Sequence, residues 1–298
     1  MSTTFDRRQF VQTAAGLSLW ATAFLGAAQR ARNIRIGHTG ITWPNNQVDQ
    51  AIRDIAGQGF HGFETFGNVI EGREAGGGLG PILEENKLQL ISAYCTANLT
   101  DSARRTQERE RMVAWGKLIR KYGGTVSVVG PNNVNRNTFD FQASRSNIVA
   151  ALNDISMALT DIGLTAALHQ HTGTCIESRE ETYAVMEAVD TRYVKFGPDV
   201  GQLQKGGSDP VQVVKDFLPV IEHMHLKDFS GGEHYVGYCP LGQGKVNLAA
   251  ILDLMEGKKT AGMVMVELDS SPRMPLSGLD TARIAKAFLE KQGVRFRS

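Results

Sequence analysis

The segment 194–228 constrains the fold of this chain more than any other. Val194–Pro198 reads as a short buried strand, Asp209 and the proline after it begin an amphipathic helix, and Ile221–Lys227 reads as a second strand. A strand, a helix and a strand in this order form a crossover unit, in which the two strands lie parallel. The carboxyl ends of both strands are therefore expected at one rim of a sheet.

Two chemically distinctive side chains fall at that rim. Asp199 follows the first of these strands, and His225 lies near the end of the second. A carboxylate and an imidazole that converge in this way are suited to a divalent metal. A hydrogen-bonded Asp–His pair without a metal is the equal alternative from this unit alone.

The same alternation of short apolar runs and amphipathic helices continues from Asn33 to the end of the chain. Eight strand–helix repeats in about 270 residues indicate a (β/α)8 TIM barrel, and we predict a single α/β domain over residues 29–298. A doubly wound open sheet is the alternative, but no GxGxxG sequence follows the first strand. The two longest helices are predicted at Ser102–Tyr122 and Ser144–Ile162. The predicted strands are Ile34–Thr39, Gly62–Phe66, Leu88–Thr96, Thr125–Val129, Leu164–His171, Val194–Pro198, Ile221–Lys227 and Met263–Asp269.

Residues 1–28 are predicted to be an export signal. Arg7 and Arg8 precede an apolar, alanine-rich run that ends at Ala28 with small residues suited to cleavage. The arrangement is similar to a twin-arginine signal, although Asp6 stands where serine or threonine is usual. The run is too short and too polar for a membrane span, so we expect an exported, periplasmic protein with no membrane contact after removal of the signal. An N-terminal helix with paired arginines by chance is the alternative.

Charge and cysteine content narrow the class of partner. The 32 basic and 31 acidic residues give a formal net charge of +1, and a neutral surface is a poor match for the phosphate backbone of nucleic acids. We expect a small-molecule partner and no nucleic acid, and the sequence leaves a homo-oligomer open. Three cysteines are too few for a disulfide framework, so Cys175 is interpreted as a packing residue.

Ligand-type side chains lie at the carboxyl ends of six predicted strands, where barrel enzymes carry their chemistry. Glu267 shares a strand face with two methionines, and an unpaired carboxylate there would be costly. The alternative for each single histidine is a hydrogen-bonded core residue. Four of these residues form a mixed nitrogen and oxygen set suited to one Mn²⁺, Co²⁺, Fe²⁺ or Zn²⁺ ion: His169, Asp199, His225 and Glu267. The other strand-end residues are His38, Glu64 and His171.

The sequence also resembles a known family. The stretches DVGQLQKGGSDP, IEHMHLKDF, YCPLGQGKVNLAAIL and VMVELD are similar to the xylose-isomerase-like barrel superfamily, or sugar phosphate isomerases/epimerases, and especially to its inosose dehydratase-like members. The resemblance implies a divalent metal held by the ends of strands five to eight, which are the four ligand candidates named above. Two departures stand out. His169 replaces the glutamate of the ketose 3-epimerases, and Gln202 replaces a histidine that often touches substrate.

The resemblance further implies proton abstraction next to the carbonyl of a keto-sugar or keto-cyclitol. A bound metal would polarise that carbonyl. Glu267 is the first candidate for the base, with a role as ligand alone as the alternative. His171 or Glu64 would be the second acid/base group.

Three further residues are predicted to bind substrate, namely His38, Gln202 and Lys227. For Lys227 the favoured alternative is a salt bridge with Asp228 at the rim of the barrel.

Among reactions, we expect elimination by a lyase or dehydratase on a 3-keto-glycoside or an inosose-like substrate. His169 leaves Glu267 as the only glutamate of the epimerase pair, and elimination needs one base and one different acid. A sugar isomerase or epimerase is the alternative. A phosphodiester hydrolase like the apurinic endonucleases of this superfamily is disfavoured by the neutral charge. A sugar-binding protein without catalysis is disfavoured by the complete ligand set.

Overall fold

Parallel strands form a closed barrel in the computed structural model, which describes residues 30–298. Strands β1 to β7 and β10 form the barrel, and β8 and β9 form a separate antiparallel pair. The barrel closes between β6 and β7, where the N–H groups of Glu222 and His225 donate to the carbonyls of Phe196 and Pro198 at 3.0 and 2.9 Å. The strands are β1 Ile36–Thr39, β2 Phe63–Phe66, β3 Leu90–Ala97, β4 Val126–Pro131, β5 Thr165–Leu168, β6 Val194–Phe196, β7 Met224–Leu226, β8 Asp228–Phe229, β9 Tyr238–Cys239 and β10 Val264–Val266.

The predicted TIM barrel is thus confirmed, with all eight predicted strands in their expected order. The predicted export signal, residues 1–28, lies outside the described residues. None of the helices described is long and apolar enough to cross a membrane. The α-helices are α1 Val48–Gly57, α2 Gly67–Glu74, α3 Gly80–Glu85, α4 Arg105–Lys121, α5 Phe141–Asp161, α6 Arg179–Met186, α7 Val200–Lys205, α8 Pro210–Phe217, α9 Leu248–Met255 and α10 Gly278–Lys291.

Side-chain caps explain where several helices begin. Helix α5 starts three residues before the predicted Ser144, because the Asp140 carboxylate accepts the N–H of Ala143 at 3.0 Å. Helix α7 lies between the predicted strand Val194–Pro198 and the helix predicted to begin at Asp209, where no helix was predicted. The Asp199 carboxylate caps it by accepting the N–H groups of Gly201 and Gln202. The same aspartate therefore ends a strand and starts a helix.

The barrel interior changes character along its axis. Its amino-terminal half is apolar and contains two small clusters of buried side chains, one around Met263 and Met265 and one around Val126 and Val128. A much larger apolar cluster fills the layer between the strands and the outer helices. Polar side chains collect in the other half of the interior, at the carboxyl ends of the strands. The fold thus places one polar region inside an apolar frame.

Candidate metal centre and active site

Seven buried ionisable side chains meet in the barrel interior, most of them at the carboxyl-terminal ends of the strands, and we call them the ionisable cluster. None is more than 5% exposed to solvent. Buried charges are costly unless they are paired or bound to a cation. The cluster is therefore the candidate functional site. Its members are Glu64, His169, Asp199, His223, His225, Lys227 and Glu267.

His225 lies at the centre of the cluster. Its Nδ1 is 3.0 Å from Glu267 Oε2, and its Nε2 is 2.8 Å from Glu64 Oε1. Asp199 is its neighbour across the seam between β6 and β7, where the two residues form a parallel bridge. The crossover unit at 194–228 therefore brings Asp199 and His225 together, as its strand order predicts.

Three of the four predicted ligands converge on one point. Donor atoms of His169, Asp199 and His225 all lie within 4.8 Å of one another, and His169 Nε2 is 3.9 Å from Asp199 Oδ2. Glu267, the fourth, borders this group through its contact with His225. Two nitrogens and two carboxylates in this arrangement match the ligand preferences of Zn²⁺ and similar divalent ions.

Unsatisfied polar atoms support the same interpretation. His169 Nδ1, Asp199 Oδ2 and both ring nitrogens of His225 are buried and make no hydrogen bond of normal geometry. Buried polar atoms are seldom left in this state, because each costs free energy. A divalent cation would satisfy several of them at once. The residues at this site therefore fit a metal, and its identity is open.

The protonation states of the two predicted histidine ligands differ. Burial lowers the pKa of His169 well below its ordinary value, which keeps the imidazole neutral, as a ligand must be. Burial alone would also lower the pKa of His225, but the carboxylates of Glu267 and Glu64 raise it well above the ordinary value. Without a metal, His225 thus supplies positive charge to the carboxylates around it.

Glu64 supports His225 from the opposite side of the barrel interior. Its Oε1 contacts His225, and its Oε2 accepts hydrogen bonds from Ser92 and from His223, the latter at 2.9 Å. The backbone N–H of Met263 donates to His223 Nδ1 at 3.3 Å, so the proton of neutral His223 lies on the nitrogen that faces Glu64. A carboxylate behind a metal-binding imidazole fixes the orientation of the ring. Glu64 is thus placed to orient the ring of His225, and its predicted acid/base role stays a prediction.

Lys227 holds the remaining carboxylates of the site. Its Nζ is 2.9 Å from Asp199 Oδ2, 2.6 Å from Glu267 Oε1 and 3.2 Å from Asp269 Oδ1. Burial would lower the pKa of Lys227, but these carboxylates raise it well above its ordinary value. A Cβ atom on Gly201 would lie 2.7 Å from Lys227 Cγ, so only glycine fits where the lysine crosses the start of α7. Lys227 remains next to the predicted ligands as a permanent positive charge.

The alternative salt bridge between Lys227 and Asp228 is not formed. Successive residues of a strand face opposite sides, so Asp228 faces away from the barrel interior. Its carboxylate accepts the backbone N–H groups of Gly242, Gly244 and Val246 at 2.9 to 3.1 Å. Asp228 therefore anchors the loop that contains the PLGQG sequence.

His171 lies beside the cluster and is held by two neighbours. Its Nδ1 is 2.7 Å from the carbonyl of Thr172, and its Nε2 is 2.7 Å from Gln202 Nε2. Gln202 Oε1 in turn accepts the N–H and the hydroxyl of Thr172. The ring centroids of His171 and His169 are 6.0 Å apart. Gln202, predicted to contact substrate, thus fixes the imidazole of His171.

Two other residues named from the sequence lie away from the cluster. His38 faces the layer between strands and helices, where its ring packs edge-on against Trp43 and Phe60. Burial lowers the pKa of His38 to about 4, so it is a neutral core residue, and we no longer assign it a substrate contact. Cys175 is also buried, and burial raises the pKa of its thiol to about 12, as expected of a packing residue.

Four residues of the site were not predicted from the sequence. One is His223, which lies two residues before His225 on the same strand face and contacts Glu64. Ser92 holds Glu64, Asp269 is the third partner of Lys227, and the ring of Tyr238 lies 4.6 Å from Lys227 Nζ. Asp269 had a detectable signal, because it follows Glu267 at the two-residue spacing of one strand face. Ser92 and Tyr238 had none, since their contacts join distant parts of the chain.

The chain belongs to the xylose isomerase-like TIM barrel family, whose sequence profile matches residues 52–292. Among curated relatives, the inosose dehydratase of Clostridium botulinum is 25% identical over 274 residues, which cover 80% of this chain and 91% of the relative. Membership of this family and similarity to such relatives identify the chain as an enzyme.

Solved structures agree with this fold. The IOLI protein with a bound zinc atom aligns with a TM-score of 0.71 at 16% identity, covering 87% of this chain and 98% of that protein. The 3-keto-D-glucoside 4-epimerase YcjR from E. coli aligns with a TM-score of 0.66 at 16% identity, covering 87% and 98% respectively. At this level of identity the likeness establishes the barrel and not the reaction.

Proposed function

We propose that this enzyme is a divalent-metal-dependent lyase that acts on a keto-sugar or keto-cyclitol, with a 3-keto-glycoside or an inosose-like molecule as substrate. The observation that carries the proposal is the buried convergence of His169, Asp199 and His225, bordered by Glu267, beside the separate imidazole of His171. The name of the inosose dehydratase supports elimination. The name of the 3-keto-D-glucoside 4-epimerase supports a 3-keto substrate and not the reaction.

The metal would be held by His169, Asp199, His225 and Glu267. When bound, it would supply Lewis-acid stabilisation of the negative charge that develops on the substrate carbonyl oxygen. Mn²⁺, Co²⁺, Fe²⁺ and Zn²⁺ all suit this ligand set. The zinc of the IOLI protein supports zinc among them.

Glu267 is the proposed base. Burial would raise its pKa, but His225 and Lys227 hold that pKa well below its ordinary value, so the group is ionised. Its two oxygens are fixed by Lys227 Nζ and His225 Nδ1. The carboxylate is thus positioned before substrate arrives. The Lys227 ammonium is buried against three carboxylates, so it holds the base and leaves the predicted substrate contact to other groups.

His171 is the proposed acid. In a 3-keto-glycoside, Glu267 would take the proton from C2, a C1–C2 double bond would form, and the bond between C1 and the glycosidic oxygen would break. The leaving oxygen would take its proton from the imidazolium form of His171. In this structure His171 Nε2 accepts an amide N–H of Gln202, so Gln202 would release this nitrogen before the proton is transferred. The products are an unsaturated keto-sugar and a free alcohol, so protons and electrons balance.

The test is incubation of the metal-loaded protein with 3-keto-glycosides and with inosose. We expect an unsaturated ketone that absorbs in the ultraviolet.

A variant of His171 tests its proposed role as the acid. His171→Asn should lower the rate on an alkyl glycoside by about 10²- to 10⁴-fold. It should have much less effect on a nitrophenyl glycoside, because nitrophenolate leaves without protonation.

A sugar epimerase or isomerase is the second candidate. Asp269 favours it, because this carboxylate lies 3.2 Å from Lys227 Nζ, is 22% exposed and would offer a second base near the substrate. In deuterated water, an epimer or an aldose–ketose isomer that carries solvent deuterium, with no unsaturated product, would establish this candidate and contradict elimination.

We also propose export through the twin-arginine route, supported by Arg7 and Arg8 ahead of the apolar run. Folded export would allow the metal to be loaded before the protein leaves the cytoplasm. Replacement of both arginines by lysine should retain the protein in the cytoplasm, as measured by fractionation. Unchanged export of this variant would contradict the proposal, and Arg30→Lys and Arg32→Lys, outside the signal, provide the control.

A further inference from the structure

A cavity of about 240 Å³ lies next to the ionisable cluster, between the loop after β8 and the loop after β10. We call it the tyrosine pocket. Apolar side chains form most of its wall, and Ser230, Glu233, His234 and Gln243 add polar groups. A protein cavity of about 150 Å³ is enough for a benzene-sized ligand. The apolar wall consists of Tyr235, Tyr238, Pro240, Pro275 and Leu276.

Two phenol rings form part of this wall. Tyr235 and Tyr238 are only 3% and 2% exposed, and their hydroxyl oxygens are buried. Burial raises the pKa of both phenols, so both remain protonated and uncharged. The two residues therefore offer the cavity the faces and edges of neutral aromatic rings, which pack favourably against another aromatic ring.

The backbone of the pocket loop is strained at the same place. Tyr235 and Val236 have positive φ angles of 50° and 60°. A β-branched residue such as valine rarely adopts this conformation, and strain of this kind is concentrated at functional sites. Lys205 Nζ holds the strained loop by donating to the Val236 carbonyl at 2.9 Å. Tyr235 is thus kept in the pocket wall at a local conformational cost.

Tyr238 joins the pocket to the proposed active site. Its ring lies 4.6 Å from Lys227 Nζ, which is itself 2.6 Å from Glu267 Oε1. Leu268, next to the proposed base, packs with Tyr235 and Tyr238 in one apolar cluster. Tyr238 therefore borders the tyrosine pocket and also contacts the lysine that holds the proposed base.

We propose that the tyrosine pocket is the subsite for the leaving group of the substrate, and that this group is an aromatic alcohol. The apolar wall, with the rings of Tyr235 and Tyr238, would contact the aromatic ring of this group. This inference rests on the proposed lyase function and deepens it, because it favours an aryl or arylalkyl 3-keto-glycoside over a free keto-cyclitol, which has no such group.

The test compares benzyl and methyl 3-keto-glucosides with the full-length, metal-loaded protein. The two alcohols have similar acidity, so a difference in kcat/KM reports contacts with the benzyl ring. We expect kcat/KM to be about tenfold higher for the benzyl substrate. Leu276→Trp, which fills the pocket, should bring the ratio close to one. Met157→Trp, on an exposed position of α5, should keep the tenfold ratio. Equal values in the unmodified protein would overturn the subsite.

A binding measurement separates this subsite from the proposed reaction. If neither glucoside is converted, the lyase proposal fails, and the pocket is judged by saturation-transfer NMR with benzyl alcohol as the probe. Binding that disappears in Leu276→Trp and persists in Met157→Trp would support an aromatic site. No binding to the unmodified protein would overturn it.

Discussion

The barrel interior and the layer between strands and helices are both buried, but their side chains differ. Ionisable groups collect in the interior, and apolar groups fill the layer. Each has a fully buried histidine near a strand end. His225, in the interior, lies between Glu64 and Glu267, and these carboxylates raise its pKa well above the ordinary value despite burial. His38, in the outer layer, contacts Trp43 and Phe60, and its pKa falls to about 4. Burial alone therefore does not determine the charge of a residue in this protein.

The difference follows from which face of a strand a residue occupies. Interior positions at the carboxyl ends receive side chains from several strands at once, so acids and bases can meet and offset each other's desolvation. The outer layer receives mostly apolar side chains from the helices. A polar residue there has few partners and is stable only when neutral. Four changes test this contrast.

The largest expected effect is loss of the metal. Asp199→Asn and Glu267→Gln should each weaken divalent metal binding by more than about 100-fold, because each replaces a charged ligand by a neutral one. Elemental analysis after dialysis provides the measurement. Asp209→Asn is the matched control, since Asp209 caps α8 as Asp199 caps α7 but lies outside the cluster. Full metal retention in both cluster variants would show that the site is wrong.

The next effect concerns Lys227. In metal-free protein, Lys227→Met should reduce the free energy of unfolding by about 3–5 kcal/mol, because it leaves buried carboxylates without their cation. Added metal should restore part of this loss. Urea unfolding with chelator and then with metal measures both. Lys205→Met, which removes a half-exposed lysine of the same region, should cost much less. Similar losses of unfolding free energy in the two variants would contradict a special role for Lys227.

A smaller effect is expected for Glu64, which touches the metal site only through His225. Glu64→Gln should weaken metal binding by about 10- to 100-fold, as loss of a carboxylate behind a histidine ligand usually does. A changed visible spectrum of the Co²⁺-loaded variant would report a reoriented imidazole. Glu71→Gln, whose carboxylate pairs with Trp115 away from the cluster, should leave affinity and spectrum unchanged. An unchanged affinity for Glu64→Gln would contradict the positioning role.

The smallest effect tests the outer layer. The pKa of His38 falls from 6.5 to about 4 on folding, so the unfolded chain binds more protons and stability decreases as the pH falls through this window. The loss should reach about 1 kcal/mol at pH 5.5. His38→Phe should reduce this pH dependence in urea unfolding, whereas exposed His234→Gln should not. The same pH dependence in both variants would mean that His38 is protonated in the fold.

Much of the contrast between the barrel interior and the outer layer can be predicted from the sequence. The eight repeats predict the barrel, and strand ends predict the residues that meet there, because parallel strands share one rim. The side of the strand that His38 occupies can also be predicted from the sequence. His38 continues the apolar face of Ile34 and Ile36, whereas His225 shares its face with another histidine and a lysine. Application of this spacing rule to β1 would have placed His38 outside the barrel.

Other features depend on distances across the fold. Spacing along a strand gives the face of Glu64 but not its partner, since β2 and β7 meet only through the barrel interior. The short helix α2 contains two glycines and no clear apolar period, so its sequence gives no helical signal. Helix α7 depends on its aspartate cap. Asp199 has two roles, and the sequence pattern showed only one of them. It predicted Asp199 at the end of a strand but not as the cap of a helix.

The contacts of the Asp228 carboxylate determine which part of the neighbouring loop is free to vary. The carboxylate ties the start of the β8–β9 segment to the backbone of Gly242, Gly244 and Val246, and a side chain on Gly244 would collide with it. Both ends of the intervening loop are thus fixed independently of its length or composition. Changes in loop length cost little when the ends are held. Substitutions in this loop can therefore change the wall of the tyrosine pocket while the ionisable cluster stays in place.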